Sequence, residues 1–112
     1  MPWFVKTETF TEAAAAMPVE QRRCLIQAHQ EWVESMKGQN HCFRSGFLVD
    51  EVSRPGGGGL LFFKAASYEQ ALAIVQKDPM IVSGLVEWRL HQWIHVAGDD
   101  VVDTGDATIS SC

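Results

Sequence analysis

The sequence predicts an α+β domain in which one four-stranded antiparallel sheet carries both helices on a single face. Three observations lead there. Apolar residues alternate with a period of two in four stretches and recur at helical spacing in two others. Those stretches follow one another as β-α-β-β-α-β. Right-handed crossovers then put both helices on the same side of the sheet, a ferredoxin-like arrangement of the kind that pairs into dimeric α/β barrels.

The first strand is read from Trp3 to Phe10. Trp3, Val5, Thr7 and Thr9 share one face, and Phe4, Lys6, Glu8 and Phe10 the other. An Ala-rich connection leads to Pro18 at a helix start. Helical periodicity then runs from about Val19 to Lys37 and stops at Gly38. Cys42 to Glu51 forms the second strand and Leu60 to Ala66 the third. Arg54-Pro55-Gly56-Gly57-Gly58-Gly59 is read as a flexible hairpin connection between them, not a phosphate loop, because it lacks the Lys-Ser/Thr ending and a following helix.

Ser67 and Gln70 form a capping-box pattern that opens the second helix. That helix is expected to end at Asp78, since a residue before proline disfavours the α region. Leu85 to Val96 alternates as the last strand. Val86, Trp88, Leu90, Ile94 and Val96 lie on one side, and Glu87, Arg89, His91, Trp93 and His95 on the other. The sheet face away from the helices is expected to carry Lys6 and Glu8 with Glu87, Arg89, His91 and Trp93. Such a face must meet water or be covered, and a homodimer through it is expected.

The chain of 112 residues fits one domain, with 46% apolar and 21% charged residues. The net charge of −5 is unevenly placed: the last sixteen residues hold Asp99, Asp100, Asp103 and Asp106 and no base. Residues 1–96 are therefore read as the folded domain and 97–112 as an acidic, flexible tail. No basic stripe exists, which excludes nucleic acid as a partner. No stretch reaches transmembrane length, so no membrane partner is expected. Three cysteines without a CxxC pair, and a start without a signal-like apolar run, point to the reducing cytoplasm.

The chemistry centres on His29. On a helical wheel, Leu25, Ile26, Trp32, Val33 and Met36 span one apolar stripe, and His29 falls in its middle. An inward imidazole needs a polar partner. Asp78, in phase with Ala71 and Val75 on the other helix, is the candidate, and such a pair suits general-base chemistry. The same pair also serves as a structural lock between the two helices. Arg22, two turns before His29, is either a third charge or a plain exposed arginine.

Metal binding is not expected. His91 and His95 lie on a strand about 13 Å apart, too far to share an ion, and His41 and Cys42 diverge. Cys24 and Cys42 lack a nucleophile-marking pattern and are read as buried, inert thiols.

These features resemble the YCII-related (YciI-like) family over roughly residues 1–96. The resemblance rests on the Val-Lys strand start, Arg22 with His29, Ser45-Gly46 in the second strand, and the Asp78-Pro79 ending of the second helix. It implies a dimeric α/β barrel and a His–Asp pair falling on His29 and Asp78, with Ser45 as a third member. It also implies, for some relatives, lyase chemistry on chlorinated aromatic breakdown products. The function expected is cofactor-free acid–base catalysis, as a lyase or isomerase, on a small organic acid. His29 would move the proton, Asp78 would orient His29, Ser45 would position the small-molecule ligand and Arg22 would receive a carboxylate. The alternative is a non-catalytic regulatory or protein-interaction module that keeps the pair for structure.

Overall fold

The computed structural model describes residues 1–99. Its elements are β1 (Trp3–Phe10), α1 (Glu12–Ala16), α2 (Val19–Ser35), β2 (Arg44–Val49), β3 (Pro55–Lys64), α3 (Tyr68–Val75), α4 (Pro79–Val82) and β4 (Val86–Trp93). The strands form one antiparallel sheet in the order β2-β3-β1-β4. This is the ferredoxin-like topology expected from the βαββαβ pattern, with two short helices added. The segment expected to be a mobile acidic tail lies, from residue 100 on, outside the described residues. Among the described residues, no helix is long and apolar enough to cross a membrane.

The core lies between one sheet face and the helices. Phe4, Leu61, Phe63 and Leu90 from the sheet meet Ala71, Ile74 and Val75 from α3. Trp32 and Val33 of α2, with Met36 at its C-cap, pack against the same cluster, so α2 and α3 cover one face. Yet α2 buries no residue completely, and Ile26 of its apolar stripe is 40% exposed. Cys24, expected inside, is exposed.

Several boundaries differ from the sequence reading for identifiable reasons. The Ala-rich connection is itself helical: Thr11 caps α1 by accepting from the Ala14 N–H, and alanine is the strongest helix former. The glycine run is not a flexible loop but the start of β3, paired with β2 and β1. The turn lies earlier, at 50–54, where the Asp50 carboxylate accepts from the N–H groups of Val52 and Arg54 and from the Arg54 Nε. Those bonds hold the Asp50 pKa below its ordinary value.

The largest correction concerns β1. Lys6 and Glu8, expected on the open face, point to the helices with Phe4. Lys6 is 2% exposed and lies between Leu61 of β3 and Leu90 of β4 in the cross-strand register. The open face instead carries Trp3, Val5 and Thr7 from β1, with Leu60 and Phe62 from β3 and Arg89, His91 and Trp93 from β4. Trp3 stacks on Phe62 at 4.4 Å and lies under the cations of Arg44 and Lys64. Trp93 meets the edge of Phe62 and remains 46% exposed.

Gly58 is required where β3 passes β1. Its φ is +91°, and a Cβ there would collide with the Glu8 carbonyl oxygen. Gly58→Ala is expected to destabilise the fold by about 1–3 kcal/mol, measured by urea denaturation, because strain and collision add. An unchanged midpoint would contradict this account of the glycine run.

Candidate active site

Asp78 is the centre of a buried polar line. The Asp-Pro sequence explains its position. Proline at residue 79 biases residue 78 to extended backbone, observed as φ −64° and ψ 125°, and itself suits the first position of a helix. Asp78 therefore does not end α3, as the sequence reading had it; α3 stops at Val75, and Asp78 is the N-cap of α4. Its Oδ1 accepts from the Met80 N–H at 2.9 Å.

This cap turns the carboxylate inward, where it is fully buried. Oδ1 also accepts from His29 Nδ1 at 2.8 Å, and Oδ2 accepts from Lys6 Nζ at 2.9 Å. Lys6 donates in addition to Glu8 Oε1. On the other side of the ring, His29 Nε2 lies 2.7 Å from Ser45 Oγ. The line thus runs Glu8, Lys6, Asp78, His29, Ser45, drawn from β1, α4, α2 and β2.

Sheet register explains why these groups converge. Ser45, Leu61, Lys6 and Leu90 form one row across the helix-facing side. His29 hangs from α2 over that row, 13% exposed and tilted against Trp32 at 6.0 Å. The next row is Phe47, Gly59, Glu8 and Trp88. Gly59 contributes no side chain there, and the Phe47 ring stands 70% exposed.

Electrostatics fix the charge of Asp78. Burial by itself raises the Asp78 pKa, but the His29 hydrogen bond and the Lys6 charge outweigh it, and the net shift is downward. An ionised Asp78 can only accept, so Nδ1 carries the ring hydrogen. In its neutral form the imidazole then offers the Nε2 lone pair to the Ser45 hydroxyl. Nε2 and Ser45 face the accessible side, since all of β2 is exposed.

Of the residues singled out in the sequence, His29, Asp78 and Ser45 are brought together and Arg22 is not. The Arg22 Nη1 donates to the carbonyls of Ala14, Ala15 and Met17 at 3.4, 3.1 and 3.0 Å, closing the C-terminal end of α1. The cation of the site is Lys6, which the sequence reading placed on the wrong face together with Glu8. The available signal was the inward Asp78 carboxylate, which needs a cation; Phe10, on the same side of the strand as Lys6, is exposed. His41 is also accounted for, with Nδ1 donating to the Lys64 carbonyl at 2.8 Å. Among the described residues no group of three His, Cys, Asp or Glu could hold a metal. Two shallow grooves along α2, of about 470 and 550 Å³, include none of Lys6, His29, Ser45 or Asp78.

Removing Lys6 leaves a buried carboxylate oxygen without its cation. Lys6→Met is expected to cost about 3–5 kcal/mol in urea denaturation at neutral pH. Asp78 also makes the fold acid-labile. Its pKa is lower folded than unfolded, so its contribution is complete above the ordinary carboxylate value of about 3.9 and is lost as pH falls through the folded value. Asp78→Asn should flatten the fall of stability below about pH 4. An equally steep acid limb in that variant would contradict the assignment.

The comparisons with known proteins fit this architecture. No curated protein matches the chain. Among solved structures, 5-chloro-2-hydroxyhydroquinone dehydrochlorinase (TftG) from Burkholderia phenoliruptrix AC1100, in complex with 2,5-dihydroxybenzoquinone, is similar at a TM-score of 0.65 and 17% identity. The match covers 84% of this chain and 95% of that one. The Arabidopsis thaliana protein At3g17210 is similar at a TM-score of 0.53 and 14% identity, over 88% of this chain and 99% of that one. Both likenesses are of fold. The model of the YCII-related domain matches residues 3–93. The chain belongs to the YCII-related family.

Proposed function

We propose that this protein is a cofactor-free acid–base catalyst, a lyase or isomerase acting on a small, unsaturated or cyclic organic acid. One observation carries the reading: a wholly buried, ionised Asp78 holds His29 by Nδ1 and leaves Nε2 directed to an accessible hydroxyl. Nε2 takes a proton from an acidic C–H or O–H of the substrate. Asp78 stabilises the imidazolium that forms, and Ser45 holds the substrate's oxygen beside the ring. Loss of a leaving group from the resulting anion completes an elimination, and return of the proton elsewhere completes an isomerisation. The fold neighbour that acts as a dehydrochlorinase supports the elimination form and suggests hydroxylated quinone-type rings as first substrates.

A second reading has its own observation. Because α2 buries no residue completely and lies closest to α4, the His29–Asp78 bond doubles as the tie between them. A non-catalytic interaction module would keep the bond for that purpose alone.

The two readings separate on one variant. With 5-chloro-2-hydroxyhydroquinone as probe, chloride release should fall about 10²–10⁴-fold in His29→Gln while the fold survives. Ser45→Ala should chiefly raise KM. Loss of stability in His29→Gln, with no chloride released by the unaltered protein from this or related hydroxyquinones, favours the structural tie.

The assembly belongs to the same proposal: a homodimer through the open sheet face. Trp93, Phe62 and Leu60 make that face apolar in part, and Arg89 and Glu87 supply both signs of charge at its margin. Sedimentation should give a dimer at micromolar concentration, and Trp93→Glu a folded monomer. A monomeric mass for the unaltered chain at high concentration contradicts it.

A further inference from the structure

We infer that Ser45 is a nucleophile, and that the site also transfers small apolar acyl groups from esters or thioesters to water. A serine reacts when a base holds its hydroxyl and a third group fixes the base. All three relations are present here. Ser45 Oγ is 2.7 Å from His29 Nε2, His29 Nδ1 is 2.8 Å from Asp78 Oδ1, and Asp78 is further held by Lys6 and the Met80 N–H. Such a constellation is recognised by geometry and roles rather than by order in the chain.

The backbone beside Ser45 supplies what the attacked carbonyl needs. β2 is an edge strand of the sheet. The Gly46 carbonyl turns toward β3, lying 3.5 Å from where a Gly59 Cβ would be. In an extended strand, neighbouring residues direct their backbone groups to opposite sides. The N–H groups of Ser45 and Phe47 therefore point to the free edge, away from β3. They are donors for an oxyanion that develops on a carbonyl attacked by Oγ, and a donor in that role is worth about 10²–10³-fold in rate.

The surroundings set the acyl class. Phe47 lies two residues from Ser45 on the same strand face, 70% exposed, with glycine rather than a side chain across from it at residue 59. Beyond Gly59 stands the Glu8 carboxylate. An apolar or aryl acyl chain fits against Phe47, and an anionic one is repelled by Glu8.

The step balances without a cofactor. Ser45 Oγ forms a bond to the acyl carbon as its proton passes to His29 Nε2. The tetrahedral oxyanion collapses, the C–O or C–S bond to the leaving group breaks, and His29 delivers the proton to that group. Water, deprotonated by His29, then releases the carboxylic acid and restores the Ser45 hydroxyl.

The proposal shares His29 and Asp78 with the proton-transfer reading but fails separately from it. An ethyl fluorophosphonate carrying a simple alkyl chain is incubated with the unaltered protein, and adducts are mapped by mass spectrometry. One adduct per chain, located on Ser45, is expected, formed at least 100-fold more slowly in His29→Gln. p-Nitrophenyl butyrate should give a burst of one nitrophenolate per chain and outpace p-nitrophenyl succinate. Absence of an adduct on Ser45 in the unaltered protein overturns the proposal, as does equal labelling in a folded His29→Gln variant. Either failure leaves chloride release from the hydroxyquinone probe untouched as the test of the other reading.

Discussion

The arrangement depends on one buried carboxylate. Asp78 is fully removed from water, and an isolated ionised carboxyl in such a place is prohibitively costly. It is stable there because three donors converge on it: the Met80 N–H, the Lys6 ammonium and the His29 ring. Each donor comes from a different part of the chain. Meeting the needs of this one group therefore fixes the α3–α4 corner, the inward turn of Lys6 on β1, and the seat of α2 above the sheet.

The same arrangement divides the sheet into two faces of different chemistry. One face holds the core and, in the row Ser45–Leu61–Lys6–Leu90, the polar line embedded in it. The other carries Trp3, Phe62 and Trp93 with cations over the Trp3 ring. In the dyad, which joins α2 to the cap of α4, Asp78 is fully buried and His29 keeps 13% of its side chain exposed. Beside it is the edge strand β2, whose residues are all exposed, with Ser45 and Phe47 on one face. Ser45 Oγ lies 2.7 Å from His29 Nε2, which is why that hydroxyl bears on both proposed reactions.

Much of this was legible in the residues. Strand and helix periods give the element order, and the order gives the topology. His29 in the middle of an apolar stripe demands a partner, and Asp-Pro after α3 supplies it. The less legible part has a common physical origin. At the start of β1 both faces are covered, Phe4 by the core and Trp3 on the open side by Phe62; alternation alone does not say which face meets the helices. Lys6 reads as solvent-facing by its charge, and only the demand of Asp78 for a cation reverses that. Pro55 and the glycines read as a loop by composition, yet the missing side chains at Gly58 and Gly59 are what let β3 pass close to Glu8. Arg22 was drawn toward His29 by helical phase, whereas its long side chain reaches back to the carbonyls of α1.

The central claim is that Asp78 dictates which nitrogen of His29 carries hydrogen. It is tested most directly by two-bond ¹H–¹⁵N correlation spectra of the ring in labelled protein, at an alkaline pH where the imidazole is neutral. The account predicts protonated Nδ1 and unprotonated Nε2 for His29, with the pattern lost or inverted in Asp78→Ala. A neutral His29 protonated on Nε2 in the unaltered protein would contradict it, since that ring could neither donate to Asp78 nor accept from Ser45.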